Sequence, residues 1–327
     1  MIASVAFRNF KALRDASLKL APFNLVLGPA GSGKTSLIEA LLRLRTVAAA
    51  GAARENQPAG ARAPEVGFHF MPPHEGIAVR LTGHALRVEP AHAPDWPVLR
   101  EAIARIRGFE FDADAMASPS PVASGGELAP DGANLAAVLA CLRERAPAEF
   151  ETLAAEMRRI FPEYRGLGLR TDAGGKVTLA LALQAEETEI PGEDLSQGTL
   201  HVLAVLTLAF APAPPSVICL EEADRGVHPR MLREIRDALY RLSHPAAFGL
   251  KRAPAQVIAT THSPYLLDLF REHPEEVVLT QKLGVAARFE RLADRADLAS
   301  LLQESSLGDL WFSGILGGVP QEEAGRE

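Results

Sequence analysis

The chain has 327 residues, 47% of them apolar, and a formal charge of −7, so it can bury a sizeable core in one or two domains. No apolar run reaches the roughly eighteen residues of a membrane span, and the net charge gives no overall basic footprint for nucleic acid. The N-terminus opens directly on a strand pattern without a secretory leader, and Cys141 and Cys219 lie in apolar segments, which predicts buried thiols in a reducing compartment, the cytoplasm by default.

In chain order, the first clear signal is a short apolar strand, 24–27, that runs into Gly28-Pro29-Ala30-Gly31-Ser32-Gly33-Lys34-Thr35. This is a complete G-x-x-x-x-G-K-T phosphate loop. Its glycines let successive backbone N–H groups turn inward towards phosphate oxygens. The helix that should follow, 34–44, directs its positive end at the same anion. Lys34 then reaches the β- and γ-phosphates, and the Thr35 hydroxyl ligates Mg²⁺. The pattern predicts binding of a nucleoside triphosphate.

An Ala/Gly/Pro-rich stretch, 48–64, reads as an exposed loop. Three β-like runs follow at 66–70, 77–81 and 86–88, expected to complete an antiparallel lobe with strands from the N-terminus. Residues 116–131, heavy in Ser, Pro and Gly, read as a second loop. Helical patterns come at 134–145 and 150–161. A hairpin pairs 168–171 with 176–184 through Asp172-Ala173-Gly174-Gly175.

Asp194-Leu195-Ser196-Gln197-Gly198-Thr199 then precedes an apolar helix, 200–210. Ser196 is a candidate N-cap there, and Gly198 would let a ligand approach the first turn. Val217-Ile218-Cys219-Leu220-Glu221-Glu222 is an apolar strand ending in two carboxylates, able to supply a metal contact and a base for hydrolysis. Gln256-Val257-Ile258-Ala259-Thr260-Thr261-His262-Ser263-Pro264 is a second buried-strand pattern that stops at a histidine. Buried parallel strands read as continuous apolar runs, and ligands collect at their carboxyl ends. Glu221, Glu222, His262 and the phosphate loop all fall at such ends. Arg225, Arg230, Arg233 and Arg236 interleave with Glu234 and Asp237, which reads as a solvated helix face. The chain shows no internal repeat and no heptad array long enough for a coiled coil.

The order of phosphate loop, L-S-x-G, apolar strand with Glu-Glu, and T-H-S-P resembles the head of the ABC-type ATPases, in their soluble SMC/RecF/OLD-like branch. Val5-Ala6-Phe7-Arg8-Asn9-Phe10-Lys11-Ala12-Leu13 resembles the entry of that branch. Asp131-Gly132-Ala133-Asn134-Leu135-Ala136 and Ser306-Leu307-Gly308-Asp309-Leu310-Trp311 look like a family of stand-alone bacterial AAA-family ATPases. The resemblance implies an α/β P-loop NTPase head: a mixed, largely parallel sheet flanked by helices, with an antiparallel β lobe. One head would span 1–327, with the lobe in 1–27 and 66–90 and a loop and helical insertion near 91–165. The parallel core would lie in 24–47 and 195–282, with a C-terminal extension at 283–327.

The same resemblance implies roles for single residues. ATP and Mg²⁺ would dock over Gly28, Pro29, Ala30, Gly31, Ser32, Gly33, Lys34, Thr35 and Ser36. Glu221 would join Thr35 at the metal, Glu222 would be the general base, and His262 the switch histidine. Ser196 and Gly198 would close over the γ-phosphate held by a second head, giving an ATP-dependent homodimer.

Several residues depart from the branch. Ala30 stands where Asn is usual, Ala223-Asp224 replaces Pro-Glu, and His228-Pro229 stands where transporter ATPases carry the D-loop aspartate. No glutamine lies between Gln57 and Gln184, so another residue, water or altered Mg²⁺ coordination serves in place of the Q-loop glutamine. The short stretch after His262 leaves little room for an appended nuclease domain, so a head alone is expected. By family analogy its work is DNA maintenance or phage defence with a separate effector such as a nuclease or toxin. Two alternatives stand beside it: a nucleotide-dependent scaffold with little turnover, and the ATP-binding subunit of a transporter.

Overall fold

The computed structural model describes residues 1–50, 63–185, 187–284 and 286–317. Elements are numbered along the chain, and the contacts divide it into two compact units. One comprises Met1–Gly108, Pro215–Leu220 and the chain from Pro254 onward; the other comprises Phe109–Pro214 and Glu221–Ala253.

The first unit holds two sheets. The lobe sheet is wholly antiparallel, in the order β2-β1-β4-β5-β6: β1 (Ile2–Phe10), β2 (Leu13–Lys19), β4 (Glu65–Phe70), β5 (Ala78–Thr82) and β6 (Ala85–Glu89). Alternation places Val5, Phe7, Val66, Phe68, Val79 and Leu81 on its buried face. The lobe predicted from 66–70, 77–81 and 86–88 therefore forms, with ends shifted by about a residue.

The second sheet has the order β15-β14-β3-β13-β12-β7. Its centre is β3 (Phe23–Leu27), with β13 (Gln256–Thr261) and β14 (Val277–Leu283) parallel on either side and β12 (Val217–Leu220) parallel beyond β13. Residues Phe23–Leu27, Val217–Leu220 and Gln256–Thr261 are buried throughout, as expected of strands covered on both faces. β15 (Ala286–Arg291) runs antiparallel to β14. β7 (Ile106–Phe109) lies at the other edge, and the chain passes into the second unit at its last residue. Buried Gln256 exchanges hydrogen bonds with Ile2: its Nε2 donates to the Ile2 carbonyl at 2.8 Å and its Oε1 accepts from the Ile2 N–H at 2.9 Å. Both ends of this buried amide are thereby satisfied, and the lobe is pinned to the parallel sheet.

Helix α1 (Lys34–Ala49) covers the sheet with Leu37, Ile38, Leu41 and Leu44. It runs five residues beyond the predicted 34–44, because Val47 and Ala48 are also buried and alanine favours helix. The predicted loop at 48–64 thus begins inside a helix, and its stretch 51–62 lies outside the described residues. α2 (Trp96–Ala104) packs on α1, and α8 (Pro264–Asp268), α9 (Leu298–Glu304) and α10 (Leu307–Phe312) complete the unit. Gly308 donates its N–H to Asp268 Oδ1 at 2.7 Å and Ser306 caps α10, so the Ser306–Asp309 motif is a clasp between α10 and α8.

In the second unit β10 (Lys176–Leu183) is the common antiparallel partner of β8 (Ser120–Pro121), β9 (Tyr164–Thr171) and β11 (Glu189–Pro191). The predicted hairpin forms, with Asp172 Oδ1 accepting from the Gly174 and Lys176 N–H groups at 2.8 and 2.9 Å. The helices are α3 (Ala113–Ala117), α4 (Leu135–Arg145), α5 (Pro147–Ile160), α6 (Gln197–Phe210) and α7 (Leu232–Ser243). Residues 116–131 are less of a loop than their composition suggests. Met116 is buried in α3, which Asp112 caps, and Ser120–Pro121 pairs with β10. Asn134 pins the remainder: its Oδ1 accepts from the Ala129 N–H at 2.7 Å, and its Nδ2 donates to the carbonyls of Ser124 and Glu127 at 2.6 and 2.7 Å. Of the two cysteines, neither in a disulfide, Cys219 is buried and Cys141 only partly so.

Candidate functional site

In the first unit, the register of the parallel strands brings their ends level. Thr261 is opposite Leu27, and Leu27 is opposite Leu279, so residues 28 and 262 leave the sheet together beside Thr280, where β14 continues. Gly28 begins the phosphate loop, His262 follows β13 as an exposed side chain, and Thr280 stands beside Gly28. Thr280 was not anticipated. Its fully buried hydroxyl donates to the Leu27 carbonyl at 3.0 Å and lies against Ser32 Oγ. A Cβ on Gly28 would overlap Thr280, which is why that position is glycine.

The loop is shaped from within. Ser32 Oγ donates to the Pro29 carbonyl at 2.7 Å, and the buried Lys34 ammonium donates to the carbonyls of Gly28 and Pro29 at 2.7 and 3.0 Å. Gly33 has φ 97°, and a Cβ there would come within 2.9 Å of Leu13. Gly33, at the N-cap of α1, has no side chain with which to cap the helix. A concave backbone, an uncapped helix start and a buried cation at its mouth fit a polyphosphate. Thr35, Ala30 and Gly31 are exposed and Ser36 is partly buried. Among the described residues no three His, Cys, Asp or Glu side chains group as a metal site. A hydroxyl with one carboxylate and phosphate oxygens is a donor set that suits Mg²⁺.

The second unit carries the other predicted residues. Ser196 caps α6, its Oγ accepting from the Thr199 N–H at 3.1 Å and lying 2.8 Å from Thr199 Oγ1. α6 is buried on every side from Gly198 to Phe210, while Ser196 and Gln197 remain exposed. Gly198 packs inward: a Cβ on it would lie 2.5 Å from the Gly226 carbonyl oxygen. At the other end of α6, Arg252 donates to the carbonyls of Ala209 and Ala211 at 2.9 Å each, closing the helix.

Glu221 is joined directly to Leu220, the last residue of β12, and its N–H donates to the Phe109 carbonyl at 2.8 Å. Glu222 follows with φ 50°, a left-handed conformation that a side chain with a Cβ rarely takes and that tends to persist at functional sites. Its carboxylate is exposed and lies 3.6 Å from the Arg225 guanidinium, which is also 3.7 Å from Glu110. Arg225 is therefore not on a solvated helix face, as its spacing suggested. It sits in the turn before α7 between two carboxylates, and Arg230 also precedes that helix.

His201 is another residue that carries no motif. It is 1% exposed, meets Phe111 edge-on at 5.5 Å, and its Nε2 lies 3.1 Å from the Ala223 carbonyl oxygen. A carbonyl only accepts, so Nε2 carries the proton. Burial pushes the imidazole down from 6.5 to about 4, with the positive charge of Arg225 acting in the same direction. The unfolded chain therefore binds more protons between those values. The stability contributed by neutral His201 is complete above about 6.5 and is lost as the pH falls towards 4, about 3 kcal/mol at the acid end. Urea midpoints from pH 7 to 4 should fall more steeply for the parent than for His201→Gln; parallel profiles would show that His201 does not titrate in this way.

The sequence-predicted residues thus fall into two sets. Gly28 to Ser36 and His262 meet at level strand ends of the first unit, and Ser196, Gly198, Glu221 and Glu222 belong to the second. The glutamate at Glu110, the histidine at His201 and the threonine at Thr280 carried no motif to reveal them.

The family model described as "AAA domain, putative AbiEii toxin, Type IV TA system" matches residues 142–268, a segment that includes Ser196, Gly198, Glu221, Glu222 and His262. No curated protein matches the sequence. Among solved structures, an Smc head bound to the C-winged helix domain of ScpA superposes with a TM-score of 0.61 at 14% identity, over 88% of this chain and 96% of that one. The Smc head with an extended coiled coil, bound to the C-terminal domain of ScpA, from Pyrococcus furiosus gives 0.56 at 13% identity, over 93% and 98%. The SMC head domain from Thermotoga maritima gives 0.50 at 14% identity, over 89% and 98%. These identities establish a likeness of fold. The chain shares the fold of the Smc head domains.

Proposed function

We propose, from this P-loop ATPase-head fold, that the chain binds and hydrolyses ATP with Mg²⁺ and works as a pair of heads. The observation that carries the reading is the phosphate loop itself, with its left-handed Gly33, buried Lys34 and uncapped helix start at the end of a fully buried strand. In this reading the loop from Gly28 to Ser36 cradles the phosphates. Lys34 turns from the loop carbonyls to the β- and γ-phosphates, and Thr35 with Glu221 holds Mg²⁺. Glu222 orients the attacking water, and His262 stabilises charge on the γ-phosphate. When bound, Mg²⁺ would offset negative charge on the phosphates.

Ser196, exposed at the start of α6, would cover the γ-phosphate in a second copy, with the Gly198 backbone beside it. Closing and reopening of the pair would be the output, passed to a separate effector such as a nuclease or toxin in DNA maintenance or phage defence. The family description that names a toxin of a type IV system supports the defence side of this reading. The Smc heads bound to ScpA domains support a partner protein on such a head. Among the described residues no helix is long and apolar enough to cross a membrane, and a cytoplasmic setting is part of the proposal.

The two-headed site is tested at Ser196. Loss of the cap alone would cost roughly 0.5–2 kcal/mol of stability. A Ser196→Arg side chain should in addition abolish ATP-dependent dimerisation, read by light scattering on the Glu222→Gln background, while each monomer still binds ATP. Unchanged dimerisation would reject the trans site at Ser196 and leave a phosphate-loop ATPase of a different kind.

A further inference from the structure

We propose that His201 is a positioning residue for Glu222, holding the turn that carries this carboxylate against the helix that begins at Ser196. The inference rests on the ATPase reading for what Glu222 does, and on geometry within the second unit for how it is held. Three consecutive carbonyls in the turn each accept a hydrogen bond. That of Glu222 accepts from the Arg225 N–H at 2.9 Å, and that of Asp224 from the Val227 N–H at 3.1 Å. Both are local and would form in an isolated turn. The carbonyl between them, on Ala223, accepts instead from His201 Nε2, 22 residues back in the chain.

A histidine is an expensive choice for that position. α6 is otherwise filled almost entirely by Leu, Val, Ala, Thr and Phe, and a buried imidazole is tolerated only where its N–H finds a partner. Leucine would fill the space without desolvating a polar group, so packing alone does not call for histidine. The donor is placed on the carbonyl of the residue following Glu222, whose φ of 50° needs support from its surroundings. One turn earlier on the same helix, Gly198 packs on the Gly226 carbonyl at the far end of the turn. Helix α6 therefore grips the turn at both ends. Ser196 caps this helix five residues before His201, roughly 7–8 Å along its axis. A group docking at Ser196 and the carboxylate of Glu222 thus share one rigid support, through which docking can set the base.

Two substitutions separate positioning from packing. His201→Leu keeps the volume and removes the donor, whereas His201→Gln keeps an amide N–H at a reach similar to Nε2. The Leu variant should turn over ATP roughly tenfold or more slowly at saturation with KM within about twofold of the parent, and Gln should recover most of the rate. Hydrogen–deuterium exchange of the peptide spanning 222–227 should be faster in the Leu variant and parent-like in the Gln variant. Parent-like turnover and exchange in the Leu variant, or equal impairment of both variants, would overturn the proposal. A parent chain that does not hydrolyse ATP would overturn the ATPase reading instead, and the exchange data would still decide whether His201 holds the turn. If the Leu variant fails to fold, His201→Asn replaces it: its shorter amide should not reach Ala223, so it should behave as the impaired member of the pair, and parity with Gln would reject the role.

Discussion

Glu222→Gln should bind ATP as the parent does and lose roughly 10²–10⁴-fold in turnover, the usual effect of removing a positioned general base. The substitution is nearly isosteric, and the side chain is about half exposed, so it leaves no cavity. Its ion pair with Arg225 is a surface pair at 3.6 Å, and such pairs contribute 0–1 kcal/mol. The loss of rate should therefore come without a comparable loss of stability, a separation that thermal unfolding checks directly. Because the nucleotide then persists, the variant should accumulate an ATP-dependent dimer visible by light scattering. Normal turnover in Glu222→Gln, together with a Glu221→Gln variant impaired in turnover alone, would show that the two carboxylates have the opposite roles.

Lys34→Ala should lose most ATP affinity. A hydrogen bond from an ionised donor is worth about 1.5–3 kcal/mol, so calorimetry should record a weakening of about ten- to more than a hundredfold. The lysine has a second role, because its ammonium holds the Gly28 and Pro29 carbonyls. Lys34→Met, which keeps the stem without the charge, controls for lost packing and should bind as poorly as the alanine variant. ATP affinity equal to the parent's in either variant contradicts the phosphate-loop assignment.

The phosphate loop was legible because its chemistry is local: eight consecutive residues contain the turn, the cation and the helix start. The strands ending at residues 27, 220 and 261 were legible for a related reason, since a strand buried on both faces reads as a mostly apolar run, its few polar residues such as Asn24 and Gln256 being hydrogen-bonded. The capping role of Ser196 followed from a side chain three residues from the N–H that it accepts.

Other elements were hidden because their cause lies elsewhere in the chain. Residues 106–109 form an edge strand of the six-stranded sheet although Ile-Arg-Gly-Phe has no strong strand pattern of its own. Arg225 looked like one arginine among several on a helix face until the turn before α7 placed it between Glu110 and Glu222.

What the sequence by itself determined is the phosphate-loop motif, Gly28 to Thr35, and the buried strands that end at residues 27, 220 and 261, directly before Gly28, Glu221 and His262. The tertiary structure decided how those groups are held. Thr280 reaches Ser32 across 248 positions, His201 reaches Ala223 across 22, and Gly198 is required by the Gly226 carbonyl. A lone threonine, histidine or glycine has many uses and no periodicity, so its role is fixed only when folding supplies the partner that its donor, acceptor or missing Cβ must meet.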